Sequence, residues 1–193
     1  MSRKYGITLT AAFVQFQGQF INLPEVPPGV FNVSTRLELR TTTTAVWDAL
    51  TNFPAYADWN PFVRSATLSN QLNSAAYPVE GANLYMRVQI PPLPLPVDAS
   101  TPDNPLHTQI TLENITHVQP ERLRLAWKHV LPDAVLDAER WQGISDLGNG
   151  KVLYESREVY RGAGAIAIKA LFAEGLQQAF DAQGAGLKLL LEG

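Results

Sequence analysis

Three side chains in the last third of the chain are of types that move protons near neutral pH: His129, Glu139 and Glu158, set among Trp127, Trp141, Tyr154, Ser156 and Tyr160. An imidazole and two carboxyls that converge can serve as general acid and general base. Burial and mutual repulsion push their pKa values apart, leaving one group with a proton that another lacks. Strand arithmetic predicts that they converge. If the connection between Lys128 and Glu139 turns about Ala134, Trp127 faces Trp141 and His129 faces Glu139. If the next one turns about Gly148-Asn149, Glu139 faces Glu158 and Gly143 faces Tyr154. Opposed residues of antiparallel strands hold their β-carbons about 5 Å apart. The expected site is therefore an inward row of His129, Glu139 and Glu158, with Trp127, Trp141, Tyr154, Ser156 and Tyr160 beside it. The plainer alternative is a solvated pair of His129 and Glu139 at the strand ends, stabilising the hairpin by only about 0.2 to 1 kcal/mol.

Other chemistries find less support. The chain has no cysteine, which removes disulfides, thiolate nucleophiles and zinc-thiolate or iron-sulfur sites. His107, His117 and His129 are spaced by ten and twelve, without the close pairing of a local metal site. Gly162-Ala-Gly164-Ala-Ile-Ala167 reads as G-x-G-x-x-A between a strand and a helix, but a dinucleotide fold needs a second parallel strand after that helix, and none follows. No G-x-S-x-G elbow is present. The expectation is a site without metal or cofactor.

The elements that must position such a row can be read from the periods. Phe31, Val33, Thr35, Leu37 and Leu39 alternate with polar residues as in a half-buried strand. Thr42 can cap a helix in which Val46, Trp47 and Leu50 share a face, Pro54 ends it, and a short turn at Ala55 to Asp58 leads to Trp59-Asn60-Pro61. Alternating runs follow at 62–68, 81–90, 107–117, 121–130, 138–145 and 151–161. From Ala163 onward Ile168, Leu171, Phe172, Leu176, Ala179, Phe180 and Leu187 recur by threes and fours, as on one face of a long helix. An antiparallel sheet of about seven strands must cover its buried face, and this last helix is the element long enough to do so. A curved sheet around one helix leaves a cavity. Leu84, Met86, Val88 and Phe172 are expected along its wall, with Leu123, Leu125, Trp127 and His129 on the inner face of one strand.

The segment from Thr44 to Val63, T-A-V-W-D-A-L-T-N-F-P-A-Y-A-D-W-N-P-F-V, resembles the signature of the polyketide cyclase and START-like superfamily, also called SRPBCC. The element order, Leu131-Pro132 after Trp127, and the strand-to-helix ending carry the likeness over about residues 30–191. The resemblance implies an α+β helix-grip fold with two short helices after the first strand and one domain at 30–193, preceded by an extension at 1–29 that could be an extra strand or a flap. It implies an internal site for a hydrophobic small molecule, a polyketide- or terpenoid-like compound cyclised, dehydrated or isomerised without a cofactor, or else a lipid, sterol or metabolite merely carried. Within that signature Trp59 lies near the expected site. The proline-rich stretch at 91–105 departs from the compact pattern.

Composition bounds the partners. The 193 residues are 46% apolar and 17% charged, and 15 basic against 18 acidic residues leave a formal charge of -3, with no basic stripe for nucleic acid. No run reaches the roughly 20 apolar residues of a membrane span, and the stretch after Met1-Ser-Arg-Lys4 is too polar for a secretory core. A cytoplasmic location is the expectation.

Overall fold

The computed structural model describes residues 20–69 and 77–193. Seven strands, β1 (Phe31–Leu39), β2 (Val63–Leu68), β3 (Asn83–Gln89), β4 (Thr108–Gln119), β5 (Arg124–His129), β6 (Asp137–Gly148) and β7 (Lys151–Arg161), form one antiparallel sheet in the order β1-β7-β6-β5-β4-β3-β2. Helix α1 (Thr43–Thr51) starts where the Thr42 hydroxyl accepts the Ala45 N–H at 3.2 Å. A 3-10 turn at Phe53–Asp58 follows it, and α2 (Gly164–Glu192) closes the chain. This is the α+β helix-grip arrangement that the periods predict. Among the described residues no helix is long and apolar enough to cross a membrane.

Helix α2 grips the concave face of the sheet because its apolar stripe, Leu176, Ala179, Phe180 and Leu187, is buried there. Gly186 lies so close to the Trp59 carbonyl that a β-carbon would collide with it, which lets the helix sit directly on the turn after the 3-10 segment. The 91–105 stretch is pinned rather than loose: Arg64, 3% exposed, donates to the carbonyls of Ala57, Asn60, Asp98 and Thr101, and Leu93 and Val97 are buried.

The pairing of β6 differs from the sequence expectation by one residue on both sides. Trp127 faces Arg140, and Lys128 faces Glu139, because the β5–β6 connection centres between Asp133 and Ala134. Toward β7, Glu158 faces Arg140 and Tyr154 faces Ile144, because the turn closes at Asn149-Gly150, with Gly148 facing Lys151, and an irregularity between Asp146 and Gly148 offsets only part of that displacement. A one-residue slip turns a strand over. Glu139 and Trp141 therefore lie on the outer face, and Arg140 and Gln142 take the inner one. On β5, Leu123 is not part of the strand: it holds φ 52° after a 3-10 turn at Pro120–Arg122.

The outer face tolerates a tryptophan because the chain covers it. Trp141 and Ala126 pack with Leu23, flanked by Phe20 and Val26. This strap, residues 20–28, contains no strand; the rest of the expected extension, 1–19, lies outside the described residues. The buried Glu155 carboxylate accepts the N–H groups of Ile21 (3.0 Å) and Asn22 (2.8 Å) and pairs with Arg36 at 3.0 Å. Arg157 and Arg161 donate to the carbonyls of Pro24 and Pro27. Gly143 passes beneath the Asn22 carbonyl, where any side chain would clash. Replacing Glu155 by Ala removes charge-assisted hydrogen bonds that stabilise the fold by about 1.5 to 3 kcal/mol, so its urea midpoint should fall accordingly. An unchanged midpoint would mean that the strap contributes nothing to stability.

Candidate functional site

Between the sheet and α2 lies a cavity of about 200 Å³. Met86, Val88, Ile90, Leu136, Phe172 and Leu176 line it as an apolar wall, with Phe62 and Trp127 adding aromatic surface. Its polar groups come from four strands: Glu113 (β4), His129 (β5), Arg140 (β6), and Glu158 with Tyr160 (β7). The ladder places Ile115, Trp127, Arg140, Glu158 and Val33 in one row across five strands, and Glu113 opposite His129 in the next. Sheet curvature turns these side chains toward one another.

Arg140 is the floor. It is 2% exposed; its Nε donates to Ser156 Oγ at 3.1 Å and its Nη2 to Gln183 Oε1 at 3.1 Å. The guanidinium carbon lies 4.0 Å from the Phe180 ring centre, 5.5 Å from Trp127 and 5.6 Å from Phe62, within cation–π range of all three. Gln183 also donates to Gln142 at 3.2 Å, and Tyr154 donates to Gln142 at 2.6 Å, completing a buried network under the cavity.

The two carboxyls differ. Glu113 is 5% exposed, accepts a hydrogen bond from the Thr111 hydroxyl, and is pushed up to about 8, first by burial and then by the charge of Glu158. Glu158 is also raised by burial, against the opposing pull of Arg140 and a hydrogen bond from Tyr160. Glu158 is half-buried and lines the cavity. Burial lowers the His129 pKa. Its Nδ1 accepts the Leu131 N–H at 3.2 Å, so the neutral ring carries its proton on Nε2.

Of the residues singled out in the sequence, His129, Glu158, Trp127, Tyr160, Met86, Val88 and Phe172 line the cavity. Tyr154 and Ser156 face inward but lie beneath it, in the Arg140 network. Leu84 is fully buried in the core, and Trp59 packs edge-on against Tyr56. Glu139 accepts from Thr116 on the outer face, and Trp141 stacks there on His117 with ring centres 4.6 Å apart. Sequence reasoning missed Glu113 and Arg140. Glu113 shares the phase of the fully buried Ile115, which was the one available signal, and Arg140 was concealed by the slip in register.

No protein-family model matches the chain, and no curated protein matches it. Solved structures do. A START superfamily protein from Mycobacterium smegmatis aligns over 83% of this chain and 97% of its own at 15% identity, with a TM-score of 0.57. The chain shares the fold of that protein. The ginseng major latex-like protein 151 from Panax ginseng matches 84% of this chain and 98% of its own at 9% identity and a TM-score of 0.61. The hypothetical protein jhp0584 from Helicobacter pylori covers 99% of both chains at 13% identity and a TM-score of 0.62. At these identities the likeness is one of fold, so the chemistry of this chain is read from its own cavity.

The raised Glu113 pKa has a signed consequence for stability. Between 4.5, its ordinary value, and about 8, the folded state holds a proton that the unfolded chain has lost, so stability falls as pH rises through this window and levels above it. Glu158 contributes in the same direction, and comparison with Glu113→Gln isolates Glu113. The variant should gain on the order of 3 to 5 kcal/mol relative to the native chain between pH 5 and pH 9. Urea midpoints that shift in parallel for both proteins would refute a buried acid at this position.

Proposed function

We propose that the protein binds a small, largely apolar molecule in this cavity and catalyses a cofactor-independent proton transfer on it, in an isomerisation, dehydration or ring closure of a polyketide- or terpenoid-like compound. The observation that carries the reading is a pair of carboxyls, Glu113 buried and Glu158 half-buried, facing one apolar cavity in unequal environments. Glu158 acts as base: it takes a proton from a carbon next to the substrate's polar head, and the electron pair shifts into that head. Glu113 holds the head and, when protonated, donates to it. Returning the proton to another carbon isomerises the substrate; loss of a hydroxyl as water dehydrates it. General acid–base catalysis of this kind contributes roughly 10²- to 10⁴-fold. Neutral His129 stands where the cavity meets solvent and is suited to relay protons outward.

The cavity volume bounds the substrate. A cavity near 150 Å³ holds benzene and drug-sized ligands occupy about 300 to 1,000 Å³, so 200 Å³ suits a one- or two-ring compound. The predominantly apolar wall favours a second reading, a carrier that only shields such a compound from water.

Acetophenone in heavy water separates the two. A catalytic cavity should accelerate exchange of the ketone's methyl protons, read by proton NMR. Glu158→Gln should lower that rate by roughly 10²-fold or more while Trp127 fluorescence still reports binding. Binding without exchange above the buffer rate would leave the carrier reading.

A further inference from the structure

With both acids ionised, the charges facing the cavity do not balance. β4 contributes Glu113, β7 contributes Glu158 and Tyr160, β6 contributes Arg140, and β5 contributes His129, whose ring is neutral at pH 7. From α2 the facing residues are Ile168, Phe172 and Leu176, and from β2 and β3 they are Phe62, Val63, Met86 and Val88, none of which titrates. Two acids therefore share one permanent cation. That cation is already committed: Arg140 donates to the neutral Ser156 and Gln183 and lies on Phe180, and among the described residues no ion pair within 4.0 Å joins it to either acid. Glu113, nine-tenths buried, has the Thr111 hydroxyl as its one hydrogen-bond donor among the described residues.

We propose that the cavity is built for a small apolar molecule carrying an ammonium head, seated between Glu113 and Glu158 in place of the proton on Glu113. An anionic occupant would bring a third negative charge into an apolar interior. A neutral occupant leaves the surplus acid to be neutralised by a proton. An ammonium supplies the positive charge that an ionised Glu113 would need, and three hydrogen-bond donors beyond those of Thr111 and Tyr160. The geometry suits a bridging head: β4 and β7 are three strand spacings apart, roughly 14 Å on a flat sheet, and curvature brings their side chains inward over Arg140. The aromatic wall, Trp127, Phe62 and Phe172, offers ring faces to the body of the ligand and to the cation.

This inference rests on the binding part of the proposed function and not on its catalytic step. The probes are 2-phenylethylamine and its neutral counterpart 2-phenylethanol, titrated calorimetrically into the full chain at pH 6, 7 and 8. Because the ammonium displaces the Glu113 proton, amine affinity should rise roughly tenfold from pH 6 to 7 and flatten above 8. Two buffers with different ionisation heats should report release of about one proton per amine bound at pH 7. Glu113→Gln should abolish both effects. If the alcohol binds as well as the amine at pH 8, or the amine binds without proton release in the native protein, the inference falls while the cavity reading stands. If neither compound binds, both fall.

Discussion

A guanidinium lies beneath the cavity at 2% exposure, and much of the interior is organised around holding it there. Taking such a charge out of water costs several kcal/mol unless hydrogen bonds and polarisable surface replace its hydration. Arg140 receives that replacement from three directions: Ser156 on β7, Gln183 on α2, and the faces of Phe180, Trp127 and Phe62. Because Gln183 also binds Gln142, the network fixes α2 in rotation and in height over the sheet. The same helix presents Phe172 and Leu176 to the cavity, so the position of the buried cation and the shape of the binding space are set together.

Placing Arg140 and Gln142 inward obliges β6 to place Trp141 outward, and an exposed indole on a broad sheet face invites association. The strap resolves this. Leu23 covers the ring, and the strap's own backbone N–H groups end on Glu155, a carboxylate that the β7 alternation turns outward next to Glu158's inward one. Alternate glutamates of one strand thus have opposite tasks. Glu155 is saturated with donors and structural, whereas Glu158 lines the cavity.

The architecture was legible because it rests on periodicity: the two-residue alternation of the strands, Thr42 capping α1, and the apolar stripe of α2 each report a local preference that tertiary packing reinforces. The site was legible on β5 and β7, where His129, Trp127, Glu158 and Tyr160 share a phase with unambiguous apolar neighbours. It was illegible on β6. There the inner face carries Arg140 and Gln142 while the outer carries Trp141, so hydrophobicity points the wrong way, and only a connection centred half a residue earlier and an irregularity near Leu147 fix the true phase. Glu113 escaped for a related reason: β4 shifts register between Ile115 and His117, which blurs its alternation.

The order in which the two cavity acids lose their protons follows from where the cation stands. Glu158 is the direct cross-strand neighbour of Arg140 and takes a hydrogen bond from Tyr160, so its charged form is supported by a full positive charge and a donor. Glu113 reaches the same space from β4, two strands from Arg140, and its nearest support is a neutral hydroxyl. Burial raises both acids, but the negative charge on Glu158 then raises Glu113 further, so the first ionisation reinforces the second proton's retention. Were the arginine one strand nearer β4, the roles would exchange. The order of ionisation therefore follows from the phase of a single strand, the same half-residue that decides whether Arg140 or Trp141 faces the cavity.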